Sequence, residues 1–239
     1  MKYLNKKIIN IFLLIIFSIS SLYIFNLIND YNDTNKYKQT IITNDNNINT
    51  NNLNNKLFVN KNILAYIYIP NTNINYPITQ ANNNEYYLNH DVDNKYNKFG
   101  SIFIEYSNNN DFSDFETVVS GHSVLGMNIM FSELKNFLNK EFFNENEYFY
   151  IITPNKIYKN KIFVAKKQIG DTITFNKKVN ELNINNIIKN IYDNSWNSRD
   201  ININENDHIL TLYTCDLDQG LNDKDRILIY SRMEVLYEY

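Results

Sequence analysis

From residue 63 onward the chain is cut into short segments rich in β-branched and aromatic residues, each bounded by Asn, Asp, Gly or Pro. That punctuation restricts the available folds more than any other feature, because such runs satisfy strands and are too short for most helices. The predicted strands are 63–69, 74–79, 101–106, 116–120, 147–153, 157–168, 207–215 and 226–236. Two helical patterns interrupt them. In 129–139, Met130, Phe131, Leu134, Phe137 and Leu138 share a helical face, and in 180–192 Leu182, Ile184, Ile187, Ile188 and Ile191 do much the same. About eight strands with inserted helices predict a mainly β, closed or sandwiched architecture rather than alternating βαβ units. The 19 Tyr and 15 Phe suit strands and large buried contacts. No internal repeat is visible.

The first 28 residues differ in kind. Lys2, Lys6 and Lys7 precede an apolar run from Ile8 to Ile28, broken only by Asn10, three serines and Asn26. About 20 apolar residues span a bilayer as a helix. The basic flank predicts a cytoplasmic N-terminus, with the rest of the chain outside. A cleaved signal peptide would have a shorter apolar stretch ending in an A-x-A-like site, which is not found here. Residues 29–60, dominated by Asn, Asp, Thr and Lys, hold too little apolar area to offset ordering entropy and read as a flexible or partly helical extracellular stem. The expected organisation is therefore 1–28 tip and transmembrane anchor, 29–60 stem, and 61–239 a catalytic β-domain. A formal net charge of -3 gives no basic field to attract nucleic acid.

A lone cysteine in an exported chain has no partner within that chain. Cys215 is thus an inert buried thiol, an intermolecular bridge or a working nucleophile. It ends the strand His208-Ile209-Leu210-Thr211-Leu212-Tyr213-Thr214-Cys215, with Ile209, Thr211, Tyr213 and Cys215 on one face. If the next strand pairs with it through a symmetric hairpin over 216–225, Cys215 lies opposite Arg226, with Cβ atoms about 5 Å apart. Arg is scarce in this Lys-favouring chain, and Lys is a poor substitute for its fork where an oxyanion must be bound. Taken alone, Arg226 also fits a surface ion pair with Asp223 or Asp225. Arg232 sits deeper along its strand. A nucleophilic thiol needs a proton partner, since little of it is thiolate at neutral pH. His208 is about 23 Å away along its own strand, and His90 reads as a turn or helix-end residue. His122 follows Val118-Val119-Ser120-Gly121, where a strand breaks into a loop, the usual place for functional side chains. Elimination leaves His122.

These residues resemble the sortase family. TLYTC (211–215) is similar to the sortase signature TLxTC, Arg226 falls at the expected place on the following strand, and VVSGHS resembles the histidine segment. The runs NTNINYPI (71–78), YYLNHD (86–91), GSIFIEY (100–106) and MFSELKNFLNKEFF (130–143) resemble class B members. The resemblance covers roughly residues 63–236. It implies an eight-stranded sortase-type β-barrel with an N-terminal helix and inserted helices, preceded by the transmembrane helix. It implies a cysteine transpeptidase that cleaves a C-terminal sorting motif of surface proteins, NPxTN in many class B enzymes, through a thioacyl enzyme. Cys215 attacks, His122 moves protons and Arg226 stabilises the oxyanion. The acceptor is a cell-wall precursor amine or a pilin lysine, and neither metal nor other cofactor is implied. Asn89, Ser120, Tyr213, Thr214 and Asp216 are the expected substrate-binding residues.

Several positions depart from the family. Class B members usually carry Ser where this chain has Tyr213, and often Tyr where it has Ser120. Glu105 and Ser107 replace the common Asp and Arg, and the loop after His122 is about one residue longer. Two other classes of protein remain in view. A papain-type cysteine hydrolase places Cys before His and on a helix, the reverse of the order here. A non-catalytic wall-binding module would need none of the three residues.

Overall fold

The computed structural model describes residues 2–36, 42–43, 47–48, 58–180, 182–217 and 224–238. Eight strands carry the fold: β1 (Ala65–Tyr68), β2 (Asn75–Thr79), β3 (Ile102–Ile104), β4 (Glu116–Ser120), β5 (Tyr148–Ile152), β6 (Lys156–Ile169), β7 (His208–Cys215) and β8 (Asp225–Glu238). They pair in the order β8-β7-β4-β3-β2-β1-β5-β6, and β8 pairs again with β6, so the sheet closes into a barrel. The β2–β3 and β4–β7 pairs are parallel and the remaining pairs antiparallel. A two-residue strand, Asn197–Ser198, adds to the free edge of β6.

Alternation along β7 and β8 sorts the side chains. Leu210, Leu212, Ile227 and Ile229 belong to the main core inside the barrel, with Ile67, Ile78, Ile104, Val119 and Phe149. Ile209, Leu228 and Tyr230 point outward into a second cluster. Each fully buried aliphatic side chain contributes about 1.5–3 kcal/mol by leaving water. A one-residue slip would exchange the two faces and bury Cys215 inside, so core packing also fixes where the thiol points.

The helices cover the barrel. α1 (Lys2–Lys36) is one continuous helix, with an apolar stretch long enough to cross a membrane. Its last turns dock on the barrel: Asn97 Nδ2 donates to the Asp30 carbonyl at 3.0 Å and to Thr34 Oγ1 at 3.2 Å. The stem expected over 29–60 falls largely outside the described residues; a two-residue hairpin, Ile42–Thr43 with Asn47–Ile48, lies within it. The helix expected at 129–139 differs in form. Met130 takes a left-handed φ of +51°, so the helix begins later, as a 3₁₀ segment over Ser132–Leu138. Phe131, Leu134 and Phe137 are nonetheless buried as their spacing requires. A further helix, α2 (Lys140–Glu145), follows because Asn139 caps it, accepting from the Phe142 N–H. The second expected helix is α3 (Ile184–Tyr192), whose Ile184, Ile187 and Ile191 roof the outer cluster.

Candidate active site

The β7–β8 register pairs Cys215 with Arg226. One step further, the Asp216 N–H donates to the Asp225 carbonyl at 3.0 Å. Hydrogen-bonded and non-hydrogen-bonded pairs alternate along an antiparallel ladder, so Cys215 and Arg226 form a non-hydrogen-bonded pair. In such pairs the Cα atoms stand only about 4.5 Å apart and the side chains are closest. The thiol is half-buried, neither open to bulk solvent nor walled into the core.

β4 brings in the histidine. Ser120 pairs with Tyr213 across the parallel β4–β7 ladder. Beyond the ladder, the Gly121 N–H donates to the Tyr213 carbonyl at 3.2 Å. Thr214 Oγ1 donates to the Gly121 carbonyl at 2.7 Å. These two bonds fasten the chain just before His122 to the strand end that carries Cys215. Gly121 has to be glycine or nearly so, because a Cβ there would lie 2.3 Å from Ile102 Cδ1 and 3.1 Å from the Phe131 ring. The ring of His122 is held from the other side, with Nε2 2.7 Å from the Leu88 carbonyl. A carbonyl only accepts, so Nε2 carries the proton and Nδ1 is left to take and give one. Sequence reasoning missed this partner, since a backbone carbonyl leaves no mark in a sequence.

The other two histidines are committed elsewhere. His90 stacks on Tyr86 with centroids 4.1 Å apart, its Nδ1 2.8 Å from the Tyr86 carbonyl. His208 sits at the far end of β7, its Nδ1 2.9 Å from the Asp114 carbonyl. Arg232 donates to the Asn202 carbonyl and pairs with Glu234, away from the thiol.

The five expected binding residues separate into two groups. Ser120 and Tyr213 lie side by side on the outer face of the barrel, leading toward Cys215, and Asn89 is exposed beside Leu88. Ser120 Oγ donates to Glu105 Oε1 at 3.1 Å, and burial pushes the Glu105 carboxyl above its usual range. Thr214 departs from the expectation. Its side chain is 1% exposed and its hydroxyl is engaged by Gly121, so it braces the histidine segment and does not face a groove. Asp216 is likewise buried and ion-paired with Lys167. It borders a cleft of about 180 Å³ between Ser123–Asn128 and Leu217. Tyr213 makes a contact that sequence could not forecast: its hydroxyl accepts from Arg226 Nε at 3.2 Å. Most of the 216–225 loop, residues 218–223, lies outside the described residues.

A closed barrel whose outer groove ends in a half-buried strand-end thiol, with arginine opposite and histidine alongside, has clear relatives. The sortase domain model matches residues 67–234, and the chain belongs to the sortase family. It is similar to sortase B of Listeria monocytogenes, 28% identical over 73% of this chain and 71% of that protein. The crystal structure of Clostridium perfringens sortase B is 30% identical with a TM-score of 0.67, covering 73% of this chain and 95% of that one. A Streptococcus pyogenes class B sortase involved in pilus biogenesis is 30% identical with a TM-score of 0.66, covering 74% and 95%. The Staphylococcus aureus sortase B–substrate complex gives 25% and 0.69, covering 75% and 82%. Within the family this chain is a class B sortase, a cysteine transpeptidase.

Proposed function

We propose that this enzyme cleaves an NPxTN-type motif near the C-terminus of surface proteins and transfers them to an amine of a cell-wall precursor or a pilin lysine. In this reading the Cys215 thiolate attacks the carbonyl of the motif's Thr, and the oxyanion that forms is stabilised by the Arg226 guanidinium. The C–N bond then breaks as His122 delivers a proton to the leaving amine, giving a thioacyl enzyme. The incoming amine attacks the thioester and loses its proton to His122. Collapse expels the Cys215 thiolate and closes the cycle. Ser120 and Tyr213 form the floor under the motif and Asn89 borders it. Thr214 and Asp216 support the site from behind. α1 anchors the protein with its basic tip in the cytoplasm and the barrel outside.

The observation that carries this reading is the pairing of Cys215 with Arg226 at the hairpin position where side chains approach most closely, beside the fastened Gly121–His122 segment. The Staphylococcus aureus relative forms a substrate complex and another sortase B forms a complex with triglycine, which supports a peptide donor and an amine acceptor. The test uses the full-length protein in detergent with NPxTN-type peptides and an amine, followed by mass spectrometry. An adduct on Cys215 and an amine-linked product are expected. Cys215→Ala and His122→Ala abolish both, whereas His90→Ala and His208→Ala retain them. Turnover surviving in Cys215→Ala sinks the proposal, and loss in His90→Ala with His122→Ala active reassigns the base.

A further inference from the structure

On the outer wall, below Cys215, a chain of contacts runs from a buried carboxylate to the arginine. Glu116 opens β4 and is 1% exposed. Its Oε1 accepts from Thr211 Oγ1 at 2.8 Å and its Oε2 from the Asn176 N–H at 2.7 Å. The same stretch is held next door, where the Lys177 carbonyl accepts from the Phe115 N–H at 2.9 Å and Lys177 Nζ donates to the Ser107 carbonyl. Segment 173–177, part of the long β6–β7 connection, is thus pinned on the barrel around Phe175. Phe175 meets the Tyr213 ring edge-on, with centroids 5.8 Å apart and planes at 84°, the favoured geometry for an aromatic pair. Tyr213 in turn accepts from Arg226 Nε at 3.2 Å, while Arg226 NH1 donates to the Asp225 carbonyl at 2.9 Å.

Arginine is long and rotamer-rich, and a guanidinium that must wait for an oxyanion stabilises it only if its orientation is set beforehand. We propose that Tyr213 is the positioning residue for Arg226, and that the 173–177 segment, clamped by Glu116, holds the Tyr213 ring where its hydroxyl can do this. The hydroxyl fixes the base of the fork at Nε, and Phe175 blocks the ring from rotating away. The proposal rests on the role assigned above to Arg226.

The test is a double-mutant cycle on the full-length protein in detergent, reading kcat and KM for a sorting-motif peptide and the thermal midpoint of each variant. Tyr213→Phe removes only the hydroxyl and is expected to lower kcat about tenfold, the scale of one hydrogen bond to a charged group, with KM and midpoint held. In an Arg226→Met background, which offers no Nε–H, the same substitution changes kcat by no more than about twofold. Phe175→Leu lowers kcat in part and Phe175→Tyr, which keeps the ring edge, restores it. Equal losses in both backgrounds, an unchanged kcat in Tyr213→Phe, or a rise in KM alone would overturn the proposal. An Arg226→Met enzyme with full kcat would instead overturn the role of Arg226 itself. Turnover in Cys215→Ala would overturn the reading of the site.

Discussion

Arg226→Lys keeps the positive charge opposite Cys215 and removes the fork. At a non-hydrogen-bonded pair with Cα atoms about 4.5 Å apart, a lysine reaches the same region, so the effect isolates geometry from charge. The native guanidinium is oriented at two points, by the Tyr213 hydroxyl at Nε and the Asp225 carbonyl at NH1. An ammonium on a flexible stem cannot reproduce that planar placement. Removing one preorganised oxyanion donor costs about 10²–10³ in kcat, or roughly 2.7–4 kcal/mol. The folded state loses much less, because the arginine is partly exposed and water replaces its partners at about 1 kcal/mol. For a domain of this size that is a midpoint shift of about 2–4 °C. A quenched fluorescent sorting-motif peptide gives kcat and KM, and differential scanning calorimetry gives the midpoint. A kcat within about threefold of wild type would refute preorganisation by Arg226. So would a midpoint drop above about 10 °C, because the loss of rate would then report unfolding.

Thr214→Val is nearly isosteric but removes the donor to the buried Gly121 carbonyl. It should destabilise by about 1–3 kcal/mol in urea titration and lower kcat through the His122 segment, whereas no effect on either would deny the brace. Glu116→Gln tests the buried carboxylate through its pH dependence. Burial raises the Glu116 carboxyl above 4.5, so the folded state binds the proton more tightly than the unfolded chain, and stability falls as pH rises from 4.5 toward the folded value. The glutamine variant should lose that slope in thermal melts across the window. A persisting slope would place its origin in another group.

The parts of this molecule readable in advance are those governed by short-range periodicity. All eight strands lie where alternation and turn residues put them, and the facing of Cys215 and Arg226 follows from counting residues around one hairpin. The segment 129–139 was legible in burial but not in form, because one left-handed residue, Met130, breaks the backbone where the apolar spacing continues smoothly. Thr214 reads as a groove residue because it precedes the cysteine, yet strand alternation turns its side chain to Gly121 instead. The Leu88 carbonyl on His122, the Phe175 edge on Tyr213 and the Asn176 N–H on Glu116 join segments from 34 to 60 residues apart. Such contacts depend on how loops return to the barrel, which no local pattern encodes.

The most direct measurement is a crystal structure of the protein bound to a sorting-motif peptide analogue ending in a thiol-reactive group. The account predicts a covalent bond to Cys215 Sγ, the carbonyl oxygen of the adduct within hydrogen-bond distance of the Arg226 guanidinium, and the peptide lying over Ser120 and Tyr213. An adduct whose oxygen points away from Arg226, or a peptide bound on another face of the barrel, would contradict it.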